Sequence, residues 1–350
     1  MRETRAHEPY RPERDQRADD RFRPGETRSW DEGRRPVLRD LEPTAEDFRS
    51  AVLEGLSRPR KTLPYRFLYD DRGSALFDRI TELEEYYPTR TEIALLKAHA
   101  ADIARRLGPG VQLVELGSGS SAKVGVLLDA LRDPTAYVPI DISCGHLNAA
   151  AGRIQATYPD LEVAPICADF GQAFDLPPSR GGRRVGFYPG STIGNLNPAE
   201  AEDFLRLWAR RLGRGAALLI GVDLKKDRRV LRAAYRDVQG VTEAFIGNLL
   251  VRANRELDAD FDPARLRYEV SYDDDTGRVG MGFVVLEDHT VRVGGRAFEL
   301  KEGEYIHVEE SWKYTVEGFR DLARRAGFAP MKTWTDPGDL FSFHLLEARP

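Results

Sequence analysis

The sequence is poor in cysteine and histidine for a chain of 350 residues. Its two cysteines, Cys144 and Cys167, are too few and too poorly spaced for a disulfide framework or a zinc site. The six histidines are scattered and show neither HxH nor HExxH spacing. We therefore expect no bound metal and a reducing, cytoplasmic environment.

Long apolar runs and an excess of positive charge are missing as well. No apolar stretch approaches the roughly 20 residues that span a bilayer. A formal net charge of −5 argues against a nucleic-acid partner. With 41% hydrophobic residues, the chain can still build ordinary cores for two modest domains. We expect a soluble protein that acts on a small molecule, without a membrane or nucleic acid.

Residues 1–43 contain hardly any aliphatic side chains. Arginine, aspartate, glutamate and proline dominate this segment, and acids are interleaved with the arginines almost one for one. Such a segment buries too little apolar surface to offset the entropy lost on ordering. It also lacks the apolar stretch of a signal peptide. The composition therefore predicts a disordered, solvated tail.

The segment from Val111 to Ser121 reads VQLVELGSGSS and organises the remainder of the chain. Apolar residues lead to Glu115, Gly117 and Gly119 alternate with small residues, and a helical apolar pattern begins at Val124. This order predicts a strand, a glycine loop and a helix. Glycine allows positive φ angles and a close approach of ligand to backbone. The motif by itself also fits a simple tight turn.

Two later strand ends add acids to this loop. A predicted strand at Tyr137–Ile140 ends in Asp141, which stands where a βαβ unit places the ligand of a ribose hydroxyl pair. A third predicted strand, Val163–Ile166, leads to Asp169 and Phe170. These residues suit an adenosine, with Asp141 at the ribose, Asp169 at the exocyclic amine and Phe170 against the ring.

The loop lacks the third glycine of the dinucleotide fingerprint. Ala122 or Lys123 stands where that glycine would allow close packing around a pyrophosphate. The sequence also shows no obvious Tyr-x-x-x-Lys or histidine proton relay. S-adenosylmethionine (SAM) is therefore favoured over NAD, although an NAD-dependent oxidoreductase stays an alternative.

A fourth predicted strand, Val185–Tyr188, runs into a polar loop. Asn197, Pro198 and Glu200 form a capping box for the helix that follows. Ligands of open α/β sheets bind at the carboxyl ends of strands. The polar or small loop residues left for a ligand are Gly190, Ser191, Thr192 and Asn195.

Beyond Lys226 the pattern changes to helices followed by strands with hairpin turns, which indicates an α+β insertion. A hairpin near the C-terminus, broken at Asp336-Pro337-Gly338, then closes the first sheet. We therefore predict a doubly wound α/β domain interrupted by a second domain. The boundaries are 1–43 for the tail, 44–90 and 227–312 for the α+β domain, and 91–226 and 313–350 for the cofactor domain.

Five segments together resemble the histidine-specific N-α-methyltransferases of ergothioneine biosynthesis, over roughly residues 56–348. They read YDDRGSALFDRITELEEYYPTRTE, LVELGSGSSAK, PIDIS, GSTIGNLNP and VEESWKY. The resemblance implies an α/β, Rossmann-like class I SAM-dependent methyltransferase fold with an α+β substrate-binding second domain. It also implies that SAM trimethylates the α-amino group of L-histidine to hercynine.

The resemblance carries over to individual positions. Asn195 and Tyr235 would hold the substrate carboxylate, Tyr86 would flank the amine, and Glu309 and Ser311 would grip the imidazole nitrogens. Of these, Tyr86, Asn195 and Tyr235 are the candidate catalytic residues. The implied cofactor contacts are Glu115, Gly117, Gly119, Lys123, Asp141, Asp169 and Phe170, and the implied substrate contacts are Tyr86, Gly190, Asn195, Tyr235, Met281, Glu309 and Ser311.

The chain departs from the family pattern at Ile246-Gly247-Asn248, where the family is more polar, and at Trp312, where it has a smaller residue. Tryptophan or tyrosine therefore stay open as alternative substrates, and a relative that only binds the cofactor stays open as a third class. A monomer is expected, because no amphipathic surface is left over after the two domains are assembled.

Overall fold

The structure is a computed structural model that describes residues 38–41, 45–119, 122–172, 174–179 and 181–350. These residues belong to one compact unit. Most of the predicted disordered tail lies outside the described residues. Arg39–Leu41, however, form a strand, so the segment predicted to be disordered contains regular structure near its end.

Helices and strands are interspersed along the described part of the chain up to Glu256, and a run of strands follows. The strands are β1 (Arg39–Leu41), β2 (Gln112–Leu116), β3 (Ala136–Asp141), β4 (Glu162–Val163), β5 (Ile166–Ala168), β6 (Arg184–Tyr188), β7 (Ala217–Asp223), β8 (Leu266–Asp273), β9 (Arg278–Val285), β10 (His289–Val293), β11 (Arg296–Leu300), β12 (Tyr305–Trp312), β13 (Phe328–Thr335) and β14 (Phe341–Ala348). The α-helices are α1 (Ala45–Ser57), α2 (Asp71–Glu82), α3 (Tyr87–Leu107), α4 (Ala122–Ala130), α5 (Cys144–Thr157), α6 (Pro198–Leu212), α7 (Arg228–Tyr235), α8 (Val241–Glu256) and α9 (Val316–Arg325). Within the described ranges, no helix is both long and apolar enough to cross a membrane.

The large sheet has the strand order β1-β5-β3-β2-β6-β7-β14-β13, with β4 beside β3. Its strands from β1 to β7 pair in parallel, whereas β14 is antiparallel to both β7 and β13. From β2 the chain builds first towards β5 and then returns to β6 on the other side. This reversal opens a crevice at the carboxyl end of β2, where doubly wound sheets bind ligands. The predicted Rossmann-like fold with its closing hairpin is confirmed.

Local sequence explains the elements around this crevice. All five residues of β2 are buried, as expected for a central parallel strand covered on both faces. The capping box at α6 is present, since Asn197 accepts from the N–H of Glu200, and Glu200 accepts from that of Asn197. The strand predicted at Val163–Ile166 is instead two short strands. Pro165 lies between them and has no N–H to donate to the ladder.

Separate hydrophobic cores lie on the two sides of the predicted domain boundary. One core draws on residues 48–87 and 231–308. The others, on the two faces of the large sheet, draw on residues 95–222 and 314–348. In the first region β12, β9 and β8 form an antiparallel sheet, and β10 and β11 form a hairpin. We propose that these cores correspond to the two predicted domains.

The spacing argument against a disulfide is wrong for this chain. Cys144 and Cys167 are bonded to each other, with their Cα atoms 5.2 Å apart. They are 23 residues apart in sequence, but β3 and β5 are neighbouring parallel strands that pair Asp141 with Cys167. The start of α5 therefore lies over the end of β5. The cysteines consequently no longer support a reducing compartment.

Candidate active site

The glycine loop after β2 has the conformation that the sequence predicts. Gly117 and Gly119 have φ angles of 74° and 25°, in the region that L side chains rarely adopt. The Gly117 N–H donates to Ile140 O at 2.8 Å, which holds the loop against the end of β3. A Cβ atom at Gly117 would lie 3.9 Å from the Phe170 ring. The loop and Phe170 therefore border the same space.

Asp141 is fixed by backbone donors at the end of β3. Its Oδ2 accepts from the Gly119 N–H at 3.1 Å, and its Oδ1 accepts from the Ser143 N–H at 2.9 Å. Burial raises the pKa of Asp141, and these backbone donors oppose the rise. Each carboxylate oxygen keeps a further lone pair for a ribose hydroxyl. The loop and its acid are thus a single preorganised unit.

Asp169 and Phe170 follow β5 at the same edge of the sheet. Asp169 Oδ1 accepts from the Gly171 N–H at 2.8 Å, while its Oδ2 lies 3.9 Å from a guanidinium nitrogen of Arg66. The Phe170 ring packs edge-on against Tyr188 at 5.8 Å between centroids. These contacts hold the acid and the ring at the mouth of the crevice.

Glu115 and Lys123 complete the predicted cofactor residues. Glu115 is buried and accepts a hydrogen bond from the Tyr137 hydroxyl. Burial raises the pKa of Glu115 to about 8, against the effects of the Tyr137 hydrogen bond and the Lys123 charge. Lys123 Nζ lies 2.6 Å from Glu92 Oε2. The structure therefore brings all seven residues to the carboxyl ends of β2, β3 and β5, and their contacts to a cofactor stay a prediction.

Glu92 on α3 is a buried acid that sequence reasoning missed. It is fully buried, and its Oε1 accepts from the Gly190 N–H at 2.7 Å, while Oε2 contacts Lys123. Glu92 therefore ties the glycine-loop helix to the polar loop after β6. Its spacing from the buried Leu95 and Leu96 places it on the buried face of α3, which is a detectable signal.

One cavity collects the predicted substrate residues. All seven of them line it, namely Tyr86, Gly190, Asn195, Tyr235, Met281, Glu309 and Ser311. Aromatic and aliphatic side chains that the sequence did not single out complete its wall, among them Tyr69, Phe77, Ile80 and Phe245. Ile246 also lines the cavity. Trp312 does not line it within the part of the chain that the structure describes. The Trp312 indole instead donates to Glu310 at 2.6 Å.

Alternate residues of β12 carry the polar wall of this cavity. Glu309 Oε1 accepts from Asn195 Nδ2 at 3.0 Å, and Ser311 Oγ accepts from the Tyr235 hydroxyl at 3.1 Å. Burial raises the pKa of Glu309 to about 8, and the Lys313 charge opposes that rise. The wall therefore offers a carboxyl group and a hydroxyl group two residues apart.

Close packing of a 3₁₀ turn, Thr192–Asn195, brings Asn195 to Glu309. A Cβ atom at Gly194 would lie 2.8 Å from the backbone oxygen of Trp312, closer than real Cβ contacts allow. The absence of a side chain at Gly194 therefore lets the turn lie directly on β12.

Behind the polar wall lies a buried charge cluster, which sequence reasoning also missed. Asp223 Oδ2 lies 2.7 Å from Lys313 Nζ, Asp223 Oδ1 lies 2.6 Å from Lys226 Nζ, and both oxygens accept from the Tyr87 hydroxyl. Burial alone would raise the pKa of Asp223, but the two lysines outweigh it and hold the pKa below its usual value. Lys313 continues the period-two pattern of Glu309 and Ser311, which is the signal for its position.

Tyr86 lies among aromatic rings at one side of the cavity. Its ring meets Tyr235 edge-on at 6.2 Å and Phe77 at 6.4 Å between centroids. Burial raises the pKa of Tyr86 well above its usual value. Tyr86 is therefore a neutral phenol at physiological pH, suited to hydrogen bonding and not to proton abstraction.

Comparison with known proteins relates this geometry to a family. Residues 48–348 match the model of a family described as histidine-specific, SAM-dependent methyltransferases. A histidine N-α-methyltransferase of Mycolicibacterium smegmatis is 40% identical over 306 residues, which cover 86% of this chain and 95% of that protein. A histidine N-α-methyltransferase of Mycobacterium tuberculosis is 39% identical over 303 residues, with coverage of 85% and 94%. Ergothioneine biosynthesis protein 1 of Neurospora crassa is 31% identical over 309 residues, which cover 84% of this chain and 34% of that protein.

Proposed function

The chain belongs to the family of histidine-specific, SAM-dependent methyltransferases, and we propose that it methylates the α-amino nitrogen of L-histidine three times to give hercynine. The free amino acid and its mono- and dimethylated forms would be successive substrates of one cavity. The proposal thus places the enzyme in ergothioneine biosynthesis.

One observation carries this proposal. Gly190 is one of the seven candidate substrate residues that line the cavity. The Gly190 N–H donates to Glu92, and Glu92 contacts Lys123 on the helix after the glycine loop. A Cβ atom at Gly190 would lie 3.5 Å from Lys123 Nζ. The transferred methyl group would therefore pass beside Gly190.

The residues of the crevice fit SAM. Ser118 Oγ, between the two loop glycines, is buried and has no hydrogen-bond partner within the described residues, so it can pair with a polar ligand. Asp141 and Asp169 supply acceptors for a ribose and an adenine amine, as the sequence predicts. When bound, SAM supplies an electrophilic methyl group on a sulfonium sulfur.

The cavity residues divide the substrate between them. We propose that Asn195 and the Tyr235 hydroxyl bind the carboxylate, while Glu309 and Ser311 bind the two ring nitrogens. Tyr86 flanks the amine. Holding the amine lone pair in line with a methyl donor can lower the barrier by about 7 to 11 kcal/mol at best. The protein therefore accelerates the reaction mainly by holding the substrate amine in line with the methyl donor.

The α-amino group must be neutral to attack. Two carboxyl groups line the cavity, those of Asp223 and Glu309. The Asp223 carboxylate already binds Lys226, Lys313 and the Tyr87 hydroxyl. The Glu309 carboxyl is proposed to bind the imidazole ring of the substrate. We therefore propose that the amine loses its proton to solvent, and that neither carboxylate acts as the base.

Mass spectrometry of the products tests the proposal. The purified chain is incubated with SAM and each amino acid in turn, including tryptophan and tyrosine. We expect mono-, di- and trimethylated histidine in succession and little product from the other amino acids. Preferred methylation of tryptophan or tyrosine would contradict the histidine assignment but leave the methyltransferase activity intact.

The oligomeric state and location are also proposals. We propose a monomeric enzyme, as expected from the sequence, and gel filtration tests it. A cytoplasmic location stays a prediction, and cell fractionation tests it.

A further inference from the structure

The disulfide between Cys144 and Cys167 joins the two segments that carry the candidate cofactor acids. Cys144 begins α5 and lies three residues after Asp141. Cys167 lies in β5, two residues before Asp169. The Ser143 N–H, next to Cys144, donates to the Asp141 carboxylate at 2.9 Å. One covalent bond therefore links the ribose end of the predicted cofactor site to its adenine end.

Few backbone contacts hold the strand that carries Cys167. Among the described residues, the ladder between β3 and β5 consists of the pairs Ile140–Ile166 and Asp141–Cys167. On its other side β5 pairs with β1, a strand of three exposed residues. A short ladder beside an exposed edge strand opens locally at a low cost in free energy. The disulfide is therefore a main restraint on the end of β5.

Contacts with α6 limit how far this strand end can move. The Phe170 carbonyl oxygen accepts from Trp208 Nε1 at 3.2 Å and from Arg211 Nη1 at 3.3 Å. Asp169 lies between this anchor and the disulfide, so its position relative to Asp141 depends on the bond. Breaking the bond should loosen residues 166–172 without releasing them.

The two sulfur atoms differ in their access to a reductant. Cys144 is half-buried and lines a second cavity, of about 550 Å³, whereas Cys167 is fully buried. Each thiol of the reduced pair would have an acceptor within reach. Cys144 Sγ lies 3.4 Å from Asp40 Oδ1, and Cys167 Sγ lies 3.6 Å from the Ile142 carbonyl oxygen. The fold therefore accommodates both redox states.

We propose that the Cys144–Cys167 disulfide is a redox-controlled clamp on the SAM site, and that its reduction by a small dithiol weakens SAM binding. The site has to be reordered for each binding event once the clamp is open, which lowers the affinity. Disulfides of cytosolic proteins are usually transient and redox-sensing, which suits the predicted location. The clamp is independent of which amino acid the enzyme methylates.

Reduction proceeds by thiol–disulfide exchange at the accessible sulfur. A thiolate of the dithiol attacks Cys144 Sγ, the S–S bond breaks, and Cys167 leaves as a thiolate that takes up a proton. The second thiol of the reductant then displaces the Cys144 sulfur from the mixed disulfide. The protein gains two electrons and two protons, and the dithiol becomes a cyclic disulfide.

Calorimetry with S-adenosylhomocysteine tests the clamp on the intact protein, before and after treatment with dithiothreitol. The chain has no other cysteine, so the reductant has a single target. EDTA keeps metal ions from the two thiols and Asp40, whose ligand atoms lie within 4.8 Å of one another. We expect reduction to raise the dissociation constant about tenfold, as for a binding-competent fraction of about one tenth. Equal affinity in the two states would overturn the proposal, as would free thiols in the oxidised protein.

Hydrogen exchange of the ligand-free protein gives a second measurement. Amide exchange in residues 166–172 should be faster after reduction, whereas exchange in β14 should not change. Circular dichroism should show the same helix content in both states. Loss of helix on reduction would show that the bond is a general structural cross-link and would overturn the clamp.

A double variant, Cys144→Ser with Cys167→Ser, removes the bond and keeps a hydroxyl group beside each acceptor. It should bind S-adenosylhomocysteine as weakly as reduced wild-type protein does, and dithiothreitol should not affect it. A response of this variant to dithiothreitol would contradict the clamp. If the variant does not fold, the comparison of oxidised and reduced wild-type protein still decides.

Leu322→Ala is the matched control for a general loss of stability. Leu322 is buried on α9, which packs against α6 and β13, and β13 is at the opposite edge of the large sheet from β1. The oxidised variant should bind S-adenosylhomocysteine as tightly as oxidised wild-type protein and should lose affinity on reduction. A tenfold loss in the oxidised variant would show that lower stability alone weakens binding, and would refute the clamp.

Discussion

Replacing Glu309 by glutamine should stabilise the ligand-free protein at alkaline pH while weakening its affinity for histidine. Glu309 is 5% exposed, and burial raises its pKa from 4.5 to about 8. The folded chain therefore binds this proton more tightly than the unfolded chain. The stability that the protonated group contributes is fully present below pH 4.5 and is lost as the pH rises through about 8.

The magnitude follows from that difference. At about 1.4 kcal/mol for each pH unit between 4.5 and about 8, the loss approaches about 5 kcal/mol above pH 8. Glutamine does not titrate, so the variant should lack this loss. The variant should bind histidine more weakly, because it loses a hydrogen bond to a charged group, which contributes about 1.5 to 3 kcal/mol.

Urea denaturation between pH 5 and pH 9 gives the stability of both proteins, and calorimetry gives their affinity for histidine. The stability difference between Glu309→Gln and wild-type protein should grow as the pH rises. Glu310→Gln is the control, since Glu310 is on the same strand but binds Arg278 and the Trp312 indole. It should leave histidine affinity unchanged. Parallel stability curves for wild-type protein and Glu309→Gln would refute the reasoning.

Three further outcomes are expected. Asp141→Ala should weaken SAM binding by about 1.5 to 3 kcal/mol, and Asp141→Asn, which keeps one acceptor oxygen, should weaken it less. If calorimetry shows that both variants bind SAM as tightly as wild-type protein, Asp141 is not a ligand of SAM. The kcat/KM for histidine should rise from neutral pH towards about pH 9 as the amine loses its proton, and a flat profile in stopped assays would contradict solvent deprotonation. Glu309→Ala, Ser311→Ala and the double variant should lose the preference for histidine over tryptophan, because unpaired buried polar groups are costly; if competition assays show the parent preference in all three, these residues do not read the ring.

The backbone framework could be predicted from the sequence because it depends on local patterns. Gly117 and Gly119 after a buried strand predict a loop with positive φ angles, and both angles are observed. The capping box at Asn197 and the hairpin closed at Asp336-Pro337-Gly338 likewise depend on a few adjacent residues. Period-two spacing also placed Glu309 and Ser311 on one face of β12. Their pairing with histidine came from family resemblance, since spacing alone does not identify a ligand.

Contacts between distant segments were decided only by the tertiary structure. The order of strands brings Cys144 to Cys167, although their sequence spacing argued against a bond. Packing between different sheets and helices brings Asp223 at the end of β7 to Lys313 after β12, and Glu92 on α3 to Lys123 on α4. Buried charges of this kind persist only where partners from other elements surround them. A linear pattern shows that a lysine or glutamate is on a buried face, and three-dimensional packing determines which group pairs with it.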